Sequence, residues 1–136
     1  MNIATLYVRG ADENLDRLIE ILATTGTSRW AAGDTRNRGK VHESAGIQFD
    51  LADTATPDRL IHDVRAALSS WNAKGISLIS LGLKGELSVG ITVGDSAQFT
   101  AHIELSAADM VKLGSIGIAL SIAAYPTSDE ADELIA

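Results

Sequence analysis

At 136 residues, 46% hydrophobic and 21% charged, the chain has the size and composition of one globular domain, too short for two and too apolar for disorder. Cysteine is absent, which excludes disulfides, thiolate nucleophiles and thiolate zinc or iron–sulfur centres. Eighteen acidic against 11 basic residues leave a net charge of −7, which favours a basic protein partner over nucleic acid.

Residues 3–8, with Ile3, Leu6 and Val8 around Thr5 and Tyr7, predict a buried strand. Asp12 is placed to cap a helix whose apolar positions Leu15, Leu18, Ile19 and Leu22 recur at helical spacing. Gly26 sits where a left-handed stop is expected. Residues 27–30 read as a short strand, and residues 31–40 as a loop built on the turn formers Gly33, Asp34, Asn37 and Gly39. Ile47, Phe49 and Leu51 alternate with Gln48 and Asp50, the period of a half-buried strand. Thr56, Pro57 and Asp58 mark a helix start, and Leu60, Ile61, Val64, Leu68 and Trp71 form its inner stripe up to Gly75.

Residues 76–105 alternate throughout and predict a meander of three antiparallel strands, with turns at Lys84–Gly85 and Gly94–Asp95. Ser106 and Asp109 form a capping-box pattern ahead of a short helix. Met110, Val111 and Leu113 give that helix an apolar face, and Gly114 is its expected stop. Ile116, Ile118, Leu120 and Ile122 make a last strand. Strict strand–helix–strand alternation is missing, which argues against a doubly wound nucleotide-binding sheet. The expected fold is α+β: a mainly antiparallel sheet with three helices packed on it as a two-layer sandwich, spanning residues 1–126. Residues 127–136 read as an acidic tail; its Asp129, Glu130, Asp132 and Glu133 supply more than half of the net charge. Nothing resembles a signal peptide or a membrane helix, so the expected setting is cytoplasmic.

The chemistry-bearing residues do not form a recognisable constellation. His42, His62 and His102 fall on a loop, a helix and a strand, without the paired spacing of a metal site. His102-x-Glu104 opens the zinc deaminase pattern, but that site also needs two cysteines. No G-x-S-x-G elbow is present, and Gly82, Gly85, Gly90 and Gly94 lack the flanking residues of a phosphate loop. No catalytic residue, metal or cofactor is therefore expected. One segment stands out: Arg29, Trp30, Arg36, Arg38 and Lys40 hold 4 of the 11 bases and one of the 2 tryptophans within twelve positions. A tryptophan in a basic loop suits anchoring a partner or holding an anion.

The segments A-T-L-Y-V-R-G (residues 4–10), R-W-x-x-G-D (29–34), I-E-L-S (103–106) and L-x-x-x-G-I-x-L-x-I-x-x-Y (113–125) together resemble the bacterial family known as domain of unknown function 4279. The similarity runs over about residues 3–126. The family often carries a Gly-Gly-Trp-like element before its second helix, where this chain has Ala45-Gly46-Ile47, a departure that removes an aromatic anchor. The resemblance implies a small bacterial α+β domain without an assigned activity, and no catalytic residues are carried over.

Two functional expectations follow. The first is a non-enzymatic protein-binding module, specifically an immunity-type protein that occludes a basic toxin domain, with Arg29, Trp30, Arg36, Arg38, Asp129, Glu130, Asp132 and Glu133 as partner contacts. The second is a small-molecule or anion-binding domain, or an enzyme, that uses the 29–40 loop as its anion site.

Overall fold

The computed structural model describes residues 1–129. Five strands form one mixed sheet in the order β2-β3-β1-β4-β5: β1 (Asn2–Gly10), β2 (Ser28–Trp30), β3 (Ala45–Asp53), β4 (Lys84–Val93) and β5 (Ile118–Pro126). All neighbouring pairs are antiparallel except β4 and β5, which are parallel and joined through a helix. The helices α1 (Asp12–Leu22), α2 (Pro57–Ala73) and α3 (Ala107–Ile116) pack on one face, giving the expected two-layer α+β architecture.

Alternation along the strands decides which face the helices take. Ala4, Leu6 and Val8 of β1, Ile47 and Phe49 of β3, and Leu87, Val89 and Ile91 of β4 point into the core. Leu15 and Leu18 of α1, Leu60 and Val64 of α2, and Ile116 of α3 meet them there, all fully buried. Phe49 and Trp71 pack edge to face at 5.3 Å. None of these three helices covers the opposite face of the sheet.

Local signals are mostly realised as read. Thr56 caps α2 by accepting from the Arg59 N–H, with Pro57 at the first helical position. Ser106 and Asp109 close a full capping box at the start of α3. Four expectations are corrected. Ala11, not Asp12, is the N-cap of α1, and Ala23 in a left-handed conformation (φ 56°) ends it before Gly26 is reached. Helix α3 runs through Gly114 and stops at Gly117 (φ 92°), because Ile116 is still needed in the core.

The meander is the fourth correction: of its three strands only β4 forms. Both edges of β4 are taken, by β1 and by β5, so residues 99–105 cannot pair with β4 as a meander requires. Their alternation still serves packing, with Ala101, Ile103 and Leu105 half-buried against the core and His102 and Glu104 exposed. Ile76, Leu78 and Leu83 are buried in a run of turns, anchored where the Leu78 N–H donates to the Ile116 carbonyl. Asn2, 1% exposed, and Gln98 exchange amide hydrogen bonds that tie the loop after β4 to the first strand. No helix among the described residues is long and apolar enough to cross a membrane.

Candidate functional site

The sheet face opposite the three helices presents a row of side chains that alternation alone aligns. Strand register places Trp30, Gly46, Arg9 and Lys84 side by side, and the next row holds Ser28, Gln48, Tyr7 and Glu86. Trp30 lies over Gly46: a Cβ at that position would overlap the indole ring. The Ala45-Gly46-Ile47 element therefore gives a floor for the ring supplied by β2. The indole N–H donates to the Ser44 carbonyl at 3.0 Å. His42 stacks on the indole at 4.6 Å, and Tyr7 meets it at a tilt at 6.4 Å. The Arg9 guanidinium lies 5.4 Å from the Tyr7 ring centre and 5.9 Å from that of Trp30, which restricts its orientation by cation–π contact.

The loop after β2 folds back as a small hairpin. The Gly33 N–H donates to the His42 carbonyl and the His42 N–H to the Asp34 carbonyl, Thr35 bridges Val41, and the Arg36 N–H donates to the Lys40 carbonyl. A 3-10 turn over Asn37–Gly39 forms the tip, where Arg38 takes a left-handed conformation (φ 60°) unusual for a residue with a side chain. The Asp34 carboxylate accepts from the Ala31 N–H and braces the base of the hairpin. The turn formers legible in the sequence thus bring Arg36, Arg38 and Lys40 around one tip.

Between this hairpin and the sheet face lies an open groove of about 690 Å³, its walls including Tyr7, Arg9, Trp30, Arg36, Lys40 and His42. A second hollow of about 480 Å³ adjoins it, and Arg9, Arg36, Lys40 and His42 line both. Among the described residues, no carboxylate lies within ion-pair distance of Arg9, Arg36, Arg38 or Lys40. Partial burial, then the charges of Arg36 and Arg9, hold His42 below the ordinary imidazole value, with Asp34 pulling the other way. Glu86 lines the groove and Glu43 the second hollow, but five basic side chains, Arg9, Arg29, Arg36, Arg38 and Lys40, make the groove predominantly cationic in a chain whose net charge is −7.

The structure separates the candidate residues named from the sequence. Trp30, Arg36 and Arg38 come together at the groove. Arg29 borders it, but its guanidinium pairs with Asp16 at 2.8 Å and Asp12 at 3.3 Å on α1. Burial lowers the Arg29 value, but those two carboxylates outweigh it and raise the net. Asp129 accepts from both the backbone N–H and the hydroxyl of Ser96, at 2.8 and 2.9 Å, and these bonds hold its carboxyl below the usual range. It is engaged by the chain's own loop. Glu130, Asp132 and Glu133 lie outside the described residues.

Arg9 and Tyr7 escaped sequence reasoning as site residues, and His42 was weighed there only as a metal ligand. The i, i+2 spacing of Tyr7 and Arg9 placed them on one face of β1, but only strand order shows that Trp30 and the hairpin share it. A smaller hollow of about 270 Å³ holds Asp58, Arg65, His102 and Glu104, where His102 and Glu104 approach to 3.6 Å while both remain well exposed. No group of three or more His, Asp or Glu among the described residues is arranged to hold a metal ion. Compared with known proteins, the chain matches no family model, and no curated protein or solved structure is significantly similar to it.

Proposed function

We propose that the protein is a binding module that captures a small anion, a phosphate-, sulfate- or carboxylate-bearing molecule, in the groove between the outer sheet face and the 31–44 hairpin. The observation that carries this reading is the convergence of Arg9, Arg36, Lys40 and His42 on two adjoining hollows, with no ion-pair partner among the described residues within reach of the three fixed cations. Like charges held this close repel one another, and an anion between them removes that repulsion while accepting charge-assisted hydrogen bonds. Arginine is suited to this because its planar fork presents two parallel donors to one oxyanion. The acidic remainder of the molecule disfavours a polymer of phosphates, so the ligand is small.

A basic protein partner such as a toxin domain is supported by net charge alone, and the groove has the wrong sign to receive it.

Calorimetric titration with inorganic phosphate, sulfate and citrate at low ionic strength tests the reading. The Arg36→Ala, Arg38→Ala double variant is expected to lose at least tenfold in affinity, since each charge-assisted bond contributes about 1.5–3 kcal/mol. Arg29→Ala, whose charge already faces α1 carboxylates, should change affinity by no more than about twofold. Undiminished binding in the double variant, or no binding by the unaltered protein to any of the three anions, would overturn it.

A further inference from the structure

The sheet's two edges differ in kind. β2 is three residues long, as a protected edge should be, whereas β5 is a full nine-residue strand with no ladder partner on its outer side among the described residues. Natural edge strands are usually guarded by lysine, by inward charges or by a bulge. β5 has none of these: it carries no charged residue, pairs with β4 without a register shift, and has proline only at its last position. Sixteen consecutive residues, 113–128, are uncharged in a chain that is 21% charged. Residues 121–126 are all exposed, Ile122 at 49% and Tyr125 at 52%.

The helix beside this edge repeats the pattern. α3 turns Asp109 toward Arg65 of α2, at 2.9 Å, and Lys112 toward Ser69 of α2, at 3.2 Å. At 100° per residue the flank away from α2 carries Ala107, Met110 and Gly114, with Val111 next to them, all exposed and none charged. Its charges face the neighbouring helix, and its far flank is apolar and exposed.

We propose that this edge is the interface of a homodimer, in which β5 pairs antiparallel with β5 of a second copy and the two α3 helices pack beside the two-fold axis. An axis perpendicular to the sheet relates two antiparallel edge strands, so both α3 helices stay on the same face of a continuous ten-stranded sheet. A charge-free surface is self-complementary because no residue meets its own like charge across the axis. Ile122 is the middle residue of β5 and faces its own copy, covering the two side chains that the monomer leaves half exposed. Strand edge and helix flank together offer roughly 600 Å² per protomer, at the lower bound for a specific interface, so a dissociation constant in the micromolar range is expected. The anion groove is lined by residues of β2, β3, β1 and β4 and by none of β5, so the β5 edge can pair without covering it and the two proposals stand independently.

Sedimentation velocity on the full chain across roughly 1–300 μM tests this proposal, over the concentration range that a micromolar interface requires. The expected result is concentration-dependent dimerisation that Ile122→Lys abolishes, with far-UV circular dichroism unchanged because position 122 is half exposed. Ile122→Glu should likewise be monomeric, and mixing the two variants should restore a heterodimer, since position 122 faces itself only in this register. A monomer at every concentration, a dimer that survives both substitutions, or a mixture that stays monomeric would each overturn it.

Discussion

Gly46 and Trp30 show how one small residue organises the site. The indole lies flat on the sheet only because position 46 has no side chain, and its ring then carries His42 and faces Arg9. Gly46→Ala should therefore lift the indole and destabilise the protein by about 1–3 kcal/mol, as overpacking does, with a change in near-UV circular dichroism that checks the displacement. His42 supplies a pH dependence whose sign follows from its surroundings. Trp30, Arg9, Arg36, Lys40 and Asp34 surround it, and its value in the folded protein lies below the ordinary one of about 6.5. Neutral His42 thus contributes stability that is present above that pH and is lost as acid protonates the unfolded chain more readily than the folded one. A bound anion reverses the balance by favouring the imidazolium. Affinity for sulfate, whose own charge is constant over this range, should rise between about pH 7.5 and pH 5.5 and lose that rise in His42→Gln. Calorimetry at the two pH values checks both outcomes.

The elements were legible wherever a local rule had no competitor. Thr56-Pro57-Asp58 announced α2 and Ser106 with Asp109 announced α3, because caps are satisfied within four residues of chain. Asp109 does more than cap. Burial raises its value, yet the Ser106 N–H, the Arg65 guanidinium and the Ser106 hydroxyl together bring it below the usual range. Its ionised form therefore stabilises the fold above about pH 4 and ceases to do so as acid protonates it. Asp109→Ala should cost about 2 kcal/mol in urea unfolding, combining the lost cap with a partly solvated ion pair, and Arg65→Ala should move the acid-unfolding midpoint to higher pH. Ala23→Gly should stabilise by about 0.5 kcal/mol, since a left-handed helix end tolerates glycine better than alanine.

What the sequence hid at this scale was competition for partners. Residues 99–105 alternate as a strand would, but β1 and β5 occupy both sides of β4, and no local pattern reports that a ladder is full. Gly114 looked like a stop for the same reason. Whether a helix continues past a glycine depends on whether the next apolar residue, here Ile116, is required below it. The candidate site divided likewise: the basic loop was visible as composition, while the contribution of Tyr7 and Arg9 needed the register of three strands.

At the scale of the molecule, charge is segregated rather than spread. Arg29 is held by α1 carboxylates, Arg65 by Asp109 and Asp129 by Ser96, so these groups serve the fold. The hairpin cations are left facing a groove on the sheet face that none of α1, α2 and α3 covers. The uncharged β5 edge contributes no residue to that groove, so the proposed anion site and the proposed dimer interface use different strands of the same sheet. The most direct test of the anion site is a two-dimensional amide spectrum recorded while sulfate is titrated into the uniformly nitrogen-15-labelled protein. Shifts that saturate together at Arg9, at residues 31–44 and at the Trp30 indole N–H are expected, with the second indole, Trp71 in the core, unmoved. Saturating shifts centred elsewhere, or none at these positions, would contradict the account.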